Sequence, residues 1–225
     1  MTDQKSYWDT QFSEHGCVWG KTHSKSAEIA ASLFRKHRVR KILIPGSGYG
    51  RNSKLFSSEG FDVTGIEISG EACKLAAGYD PATQVYNDSF FDHDFGDSRY
   101  DAIYCFNVLH LFLEKERQRF LDRCAQVLAL RGFMFFSVVS ENDEYYGQGQ
   151  RIEDNTFETK PGKILHFFTE KDLIGHFAAF KILEVGAVED QVSHSEYGIK
   201  SYHLRYIFLV KLVREPQGSQ LAATR

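Results

Sequence analysis

The chain has 225 residues, 42% of them hydrophobic and 25% charged, enough for one large domain or two small ones with a substantial core. A net charge of −3 with no visible basic stripe argues against nucleic acid as the main partner. No apolar run approaches the roughly 18–20 residues of a membrane helix, so no membrane association is expected.

The opening residues, MTDQKSYWDT, lack the basic start and apolar core of a signal peptide, and the expected compartment is the cytoplasm. The four cysteines (Cys17, Cys73, Cys105, Cys124) form no CxxC pair. Cys105 and Cys124 read as buried thiols of a reducing compartment. The nine histidines form no HxxxH cluster, so no protein-held metal is expected.

In chain order, residues 26–37 carry Ile29, Leu33 and Phe34 at helical spacing and end in cations suited to a helix C-terminus. KILIP (41–45) reads as a short buried strand, residues 51–58 as a helix stopped at Gly60, and FDVTGIEI (61–68) as a second strand. Ser69 is a candidate N-cap for a helix through Ala77, and TQVYN (83–87) a weak third strand. YDAIYCFNVLHLF (100–112) opens as a buried strand and then turns. Residues 114–130 form the best amphipathic helix, with Phe120, Leu121, Cys124, Val127 and Leu128 on one face; FMFFSVVS follows as a fifth strand.

From Glu141 to Gly162 the pattern dissolves into an irregular segment, expected to be a functional loop or lid. A helix over 169–177 has Thr169 as N-cap and Asp172 at the capping-box position. Two further strands read as a hairpin, and residues 216–225 as a disordered tail. Alternating strands and helices predict a Rossmann-like α/β fold, a doubly wound sheet with helices on both faces, in a single domain over 1–215.

The stretch KILIPGSGYGRNSKLFSSEGFDVTGIEIS (41–69) carries the chemistry. Glycine after a buried strand permits unusual dihedrals and lets a ligand approach the backbone. In open α/β sheets ligands bind outside the carboxyl ends of the strands. Gly46, Gly48 and Gly50 stand there, and Glu67, 19 residues beyond Gly48, is placed to accept hydrogen bonds from the hydroxyls of a ribose. A dinucleotide fingerprint requires GxGxxG or GxGxxA, but Arg51 occupies the last position. A cation there suits an amino-acid carboxylate better, as in S-adenosylmethionine.

The chain resembles the class I S-adenosylmethionine-dependent methyltransferase superfamily. ILIPGSGYG resembles its first motif, VTGIEIS its second and NDSFFD its acidic adenine-side loop; YDAIYCFNVLHLF and RFLDRCAQVLALRGFMFFSVVS resemble the later motifs, in the expected order over about residues 38–140. Pro45, GIEIS and the leader YWDTQFSEHGCVWG resemble the thiopurine and tellurite-resistance methyltransferase branch. One departure is Ile44, where many members carry an acid two places before the first glycine.

The resemblance implies a seven-stranded sheet, mostly parallel with an antiparallel last strand, and an aromatic-rich leader (1–25) folded over the cofactor. Its cofactor set here is Gly46, Ser47, Gly48, Gly50 and Arg51 at the amino-acid end, and Glu67 and Ile68 at the ribose. Asp88, Ser89 and Phe90 stand at the adenine, Asn107 and Val108 beside methyl transfer, and Tyr7 and Trp19 as lid aromatics. The insertion 141–168 shapes the acceptor side, where Tyr145, Tyr146, His194, Tyr197 and His203 are candidate pocket residues and His166 and Arg205 candidate catalytic ones. The expected activity is methyl transfer to a small-molecule acceptor, giving S-adenosylhomocysteine. A nicotinamide-dependent oxidoreductase and a non-catalytic S-adenosylmethionine-binding regulatory protein are the alternatives. The sequence specifies neither acceptor atom nor oligomeric state.

Overall fold

In the strand β1 (Lys41–Pro45), Ile42 and Ile44 pack into one hydrophobic cluster and Leu43 into another. A strand buried on both faces requires helices on both sides of its sheet. The computed structural model describes residues 4–212, and the tail expected at 216–225 lies outside them.

The first layer is α2 (Lys25–Lys36) and α3 (Ser53–Ser58), which bring Ala27, Ala30, Ala31, Phe34 and Phe56 onto Ile42, Ile44, Ala102 and Phe208. Ser24 caps α2 by accepting the Ala27 N–H at 3.1 Å. The opposite layer is α5 (Glu114–Val127) and α6 (Glu170–His176), with Phe120, Leu121, Cys124 and Leu173 packed on Leu43, Ile103, Phe136 and Ile207.

Between the layers lie β2 (Asp62–Glu67), β3 (Gln84–Asn87), β4 (Tyr100–Phe106), β5 (Leu128–Val139), β9 (Lys181–His194) and β10 (Gly198–Val210), in the order β3-β2-β1-β4-β5-β10-β9. The pairs β1–β2, β1–β4, β2–β3 and β4–β5 are parallel, while β10 runs antiparallel to both β5 and β9. This is the expected seven-stranded sheet with an antiparallel last strand. Strand order reverses between β1 and β4, which opens a crevice at their carboxyl ends.

Three elements depart from the sequence reading. The segment expected to be irregular over 141–162 contains β6 (Gln150–Glu153) and β7 (Thr156–Lys160), which with β8 (Lys163–His166) form a separate antiparallel sheet. Its tight β6–β7 turn is Asp154-Asn155, with Asn155 at φ 53°. The helix expected through residue 130 ends at Val127, and β5 begins at once at Leu128. The leader contains a helix, α1 (Gln4–His15), which packs on α4 (Gly70–Tyr79) at the carboxyl edge of the sheet. Among the described residues, no helix is long and apolar enough to cross a membrane. All four cysteines are unpaired, with Cys105 and Cys124 buried.

Candidate cofactor and acceptor site

The carboxyl ends of the parallel strands open into a cavity of about 860 Å³. One end of it is built by the turn after β1. Gly46 (φ 63°) donates its N–H to the Ile66 carbonyl at 2.8 Å, and a Cβ on Gly46 would lie 2.5 Å from Val108 Cγ2. Gly48 (φ 58°) donates to Glu67 Oε2 at 2.8 Å, and the Ser69 N–H donates to Oε1 at 2.8 Å. Burial raises the Glu67 pKa, opposed by the hydrogen bonds from Ser69 and Gly48. The acid therefore fixes the glycine loop against the start of α4 while lining the cavity.

Asp88, Ser89 and Phe90 line the wall beyond β3. The Asp88 carboxylate accepts the Ser89 N–H at 2.8 Å and stands 3.0 Å from His93 Nδ1. Past β4, Asn107 (φ 55°) ties its N–H to the Ser137 carbonyl at 2.9 Å. The buried Oδ1 of Asn107 and Oγ of Ser47, both residues on the cavity wall, have no hydrogen-bond partner among the described residues. His110, in a 3-10 turn (Leu109–Leu111), accepts the Val139 N–H on Nδ1 at 3.2 Å. Burial pushes its pKa down to about 3, so the ring is neutral, with its proton on Nε2.

The leader closes this end. Tyr7, Trp8, Phe12 and Trp19 line the cavity, and Trp19 lies parallel to Tyr49 at 6.4 Å. The Tyr49 hydroxyl donates to the Gly20 carbonyl at 2.6 Å, fastening leader to glycine loop. Trp8 and Tyr49 were not anticipated from sequence, although Trp8 neighbours Tyr7 in an aromatic helix.

Arg51 also reaches the wall, but its guanidinium is partly engaged. Nη1 donates to the Thr22 carbonyl at 3.2 Å, Nη2 lies 3.6 Å from Asp190 Oδ2, and the group sits over Phe106. Gly50 does not line the cavity; it turns the chain at φ 93° against Asp80.

At the other end Tyr145, His194 and Tyr197 line the cavity. Four expected residues do not reach it. On β10 the cavity side is Lys200, Tyr202 and Leu204, so His203 and Arg205 point to the opposite face. Arg205 instead makes a two-point pair with Glu141, Nε–Oε2 2.9 Å and Nη2–Oε1 2.6 Å. On β8 the cavity side is Lys163 and Leu165, and His166 is turned away. His166 bonds Thr156 Oγ1 at 2.8 Å through Nδ1 and Asp172 Oδ2 at 2.7 Å through Nε2. Tyr146 packs edge-on against Phe157 and Phe167 and donates its hydroxyl to Asn155. Of the residues missed in sequence, Lys200 and Tyr202 share the alternation that excludes His203 and Arg205, Lys163 shares the one that excludes His166, and Lys160 lines the cavity beside Thr159 and Pro161 at the β7–β8 turn.

Residues 43–136 match a family model described as a methyltransferase domain. The chain is 29% identical over 229 residues to the tRNA N(3)-methylcytidine methyltransferase Mettl2 of Drosophila melanogaster, covering 91% of this chain and 70% of that protein. The 1,6-didemethyltoxoflavin-N1-methyltransferase of Burkholderia thailandensis, solved with 1,6-didemethyltoxoflavin and S-adenosylhomocysteine, superposes at TM-score 0.68 with 18% identity, over 93% of this chain and 88% of that one. TehB from Haemophilus influenzae, of the branch that the leader resembles, superposes at TM-score 0.59 with 15% identity, over 93% and 67%. The domain match, the motif order and the sheet topology agree: residues 43–136 are those of a methyltransferase domain, carried on a Rossmann-like sheet similar to that of solved S-adenosylmethionine-dependent methyltransferases.

Proposed function

We propose that the protein transfers a methyl group from S-adenosylmethionine to a small-molecule acceptor and releases S-adenosylhomocysteine. The observation that carries this reading is one continuous cavity of about 860 Å³, with the glycine loop and Glu67 at one end and polar side chains of the small sheet and β10 at the other. Its volume suits a cofactor and a small acceptor together.

The residues present fit S-adenosylmethionine. Gly48 leaves backbone open where a Cβ would otherwise project, Gly46 lets the turn pass against Val108, and Ser47 and Asn107 on the same wall each carry a buried side-chain oxygen with no partner among the described residues. Glu67 keeps lone pairs free beyond its two backbone bonds for the ribose hydroxyls. Asp88 stands on the wall assigned to the adenine, and the leader aromatics Tyr7, Trp8 and Trp19 cover the opening. Because Asp190 already approaches Arg51, we assign the arginine to holding the leader and β9 together, with any role toward the carboxylate secondary.

Bound S-adenosylmethionine supplies an electrophilic methyl whose in-line displacement needs a nucleophile held close and dry. Here α1 and the 141–168 insertion provide that enclosure, and Tyr145, His194 and Tyr197 contact the acceptor. We read the chain as one domain over 1–215. The unpaired cysteines support a reducing compartment, the cytoplasm.

The Drosophila relative acts on tRNA, but a net charge of −3 is poorly suited to a polyphosphate partner. The test is S-adenosylhomocysteine release in the presence of thiols, chalcogen oxyanions, heterocyclic amines and carboxylic acids, with unfractionated tRNA alongside. Turnover on a small molecule supports the reading, and turnover on tRNA alone overturns it.

A further inference from the structure

The acceptor end of the cavity carries three lysines on its wall: Lys160 ending β7, Lys163 beginning β8 and Lys200 on β10. Lys160 and Lys163 are paired across the β7–β8 turn. Lys200 Nζ donates to the Tyr145 hydroxyl at 2.6 Å and lies 3.4 Å from Glu144. Lys160 Nζ reaches the Tyr197 hydroxyl at 3.5 Å. Lys163 Nζ has no hydrogen-bond or ion-pair partner among the described residues.

The acids on the same wall do not answer it. Asp143, the carboxylate whose field reaches Lys163, accepts the Tyr145 N–H at 3.2 Å and the His203 N–H at 3.3 Å. Glu196 lies exposed at the rim. Burial, and then the charge of Lys160, push the Lys163 pKa down, against the pull of Asp143. A half-buried ammonium with no ion-pair partner among the described residues is costly, and an anion brought by a ligand offsets that cost.

Position matters as much as charge. β8 packs on the 3-10 turn that follows Asn107 and Val108, and both His110 and His194 feel the Lys163 charge. An anion at Lys163 would therefore lie beside the turn assigned to methyl transfer, with Leu111, Leu165 and Tyr202 offering apolar surface around it.

We propose that Lys163 is the anion-recognition residue of the acceptor site, and that the acceptor is a small molecule joining a carboxylate or phosphate to an apolar or aromatic body. This rests on the methyl-transfer reading for its place in the reaction, but its test is separable. Lys160 and Lys200 set the field at the entrance, and Lys163 makes the specific contact.

The experiment is calorimetric titration of the full chain, with and without S-adenosylhomocysteine, using benzoate, phenyl phosphate, the neutral benzamide and unfractionated tRNA. At least one oxyanion is expected to bind tenfold or more tightly than benzamide, and which one wins assigns carboxylate or phosphate. Lys163→Met should lose at least tenfold of that affinity, Lys163→Arg should retain it, and the exposed Lys115→Met should match wild type. S-adenosylhomocysteine affinity should be the same in all four proteins.

Equal binding of benzamide, anion binding that ignores Lys163, or Lys163-dependent binding of tRNA alone overturns the inference. Wild-type protein that ignores S-adenosylhomocysteine yet binds an oxyanion through Lys163 sinks only the methyl-transfer reading. Should Lys163→Met fail to fold, acetylation of wild-type Lys163 by acetic anhydride, read by peptide mass spectrometry, decides. Protection by the oxyanion and not by benzamide is the expected result, and equal protection or none contradicts it.

Discussion

Glu67 holds Gly48: the carboxylate at the end of β2 accepts the backbone N–H of the loop after β1 at 2.8 Å. The same side chain accepts the Ser69 N–H at the start of α4. One buried acid thus sets the shape of the glycine loop and presents its remaining lone pairs to the cavity. The two motifs that stand out in sequence are a single hydrogen-bonded unit in the fold.

The glycine at the head of that loop is constrained twice. Gly46 has a positive φ, and an added Cβ would lie 2.5 Å from Val108 Cγ2. Gly46→Ala is expected to destabilise the fold by about 1–3 kcal/mol and to weaken S-adenosylhomocysteine binding. Adding Val108→Ala should restore part of the thermal stability by relieving the contact. Thermal melts and calorimetry of the single and double variants check this; a double variant no more stable than Gly46→Ala would place the cost in the backbone alone.

Arg205 lies on the face of β10 away from the cavity, paired with Glu141. Arg205→Met should lower stability by about 1.5–3 kcal/mol and leave kcat for methyl transfer within about twofold of wild type. His166→Gln, which breaks the contacts to Thr156 and Asp172, should likewise affect melting more than turnover. A hundredfold fall in kcat in a fully folded variant of either residue would contradict this placement.

Asp9 ties α1 to the start of α4. Its carboxylate bonds Lys5 Nζ at 2.5 Å and accepts the Ser69 hydroxyl at 2.7 Å, and these contacts, Lys5 first, lower its pKa to about 2. A depressed carboxylate stabilises the anchored state above its unfolded pKa, and that contribution is lost as pH falls through the folded value. Acidification from about pH 4 toward pH 2 should therefore loosen α1. Fluorescence of Trp8 and Trp19 reads it, and Asp9→Asn should show the loosened spectrum already at pH 7. An Asp9→Asn spectrum identical to wild type across that range would rule out the anchor.

Much of the sheet was legible because its signals are local. Ile42, Leu43 and Ile44 form an apolar run too short for a helix and flanked by glycine, and Ser69 and Thr169 cap the helices expected of them. The glycine-loop end of the cavity was legible because glycines and one acid at fixed separation mark it. The acceptor end was not, and the reason is register. A strand presents alternate residues, so assigning the right strand while choosing His203 and Arg205 instead of Tyr202 and Leu204 reverses the face. On β8, likewise, His166 lies an odd number of residues from Leu165 and Lys163 and so on the opposite face. The small sheet itself was hidden because β6 and most of β7 are polar and partly exposed, leaving only the Asp154-Asn155 turn as a signal.

The most direct measurement is calorimetric titration with S-adenosylhomocysteine, with NADH as control, on wild type and Glu67→Ala. Micromolar-range binding of S-adenosylhomocysteine and none of NADH is expected, weakened at least tenfold in a Glu67→Ala protein that still melts cooperatively. No binding of S-adenosylhomocysteine, a preference for NADH, or an unaltered affinity in Glu67→Ala would contradict the assignment of this loop and acid to the cofactor.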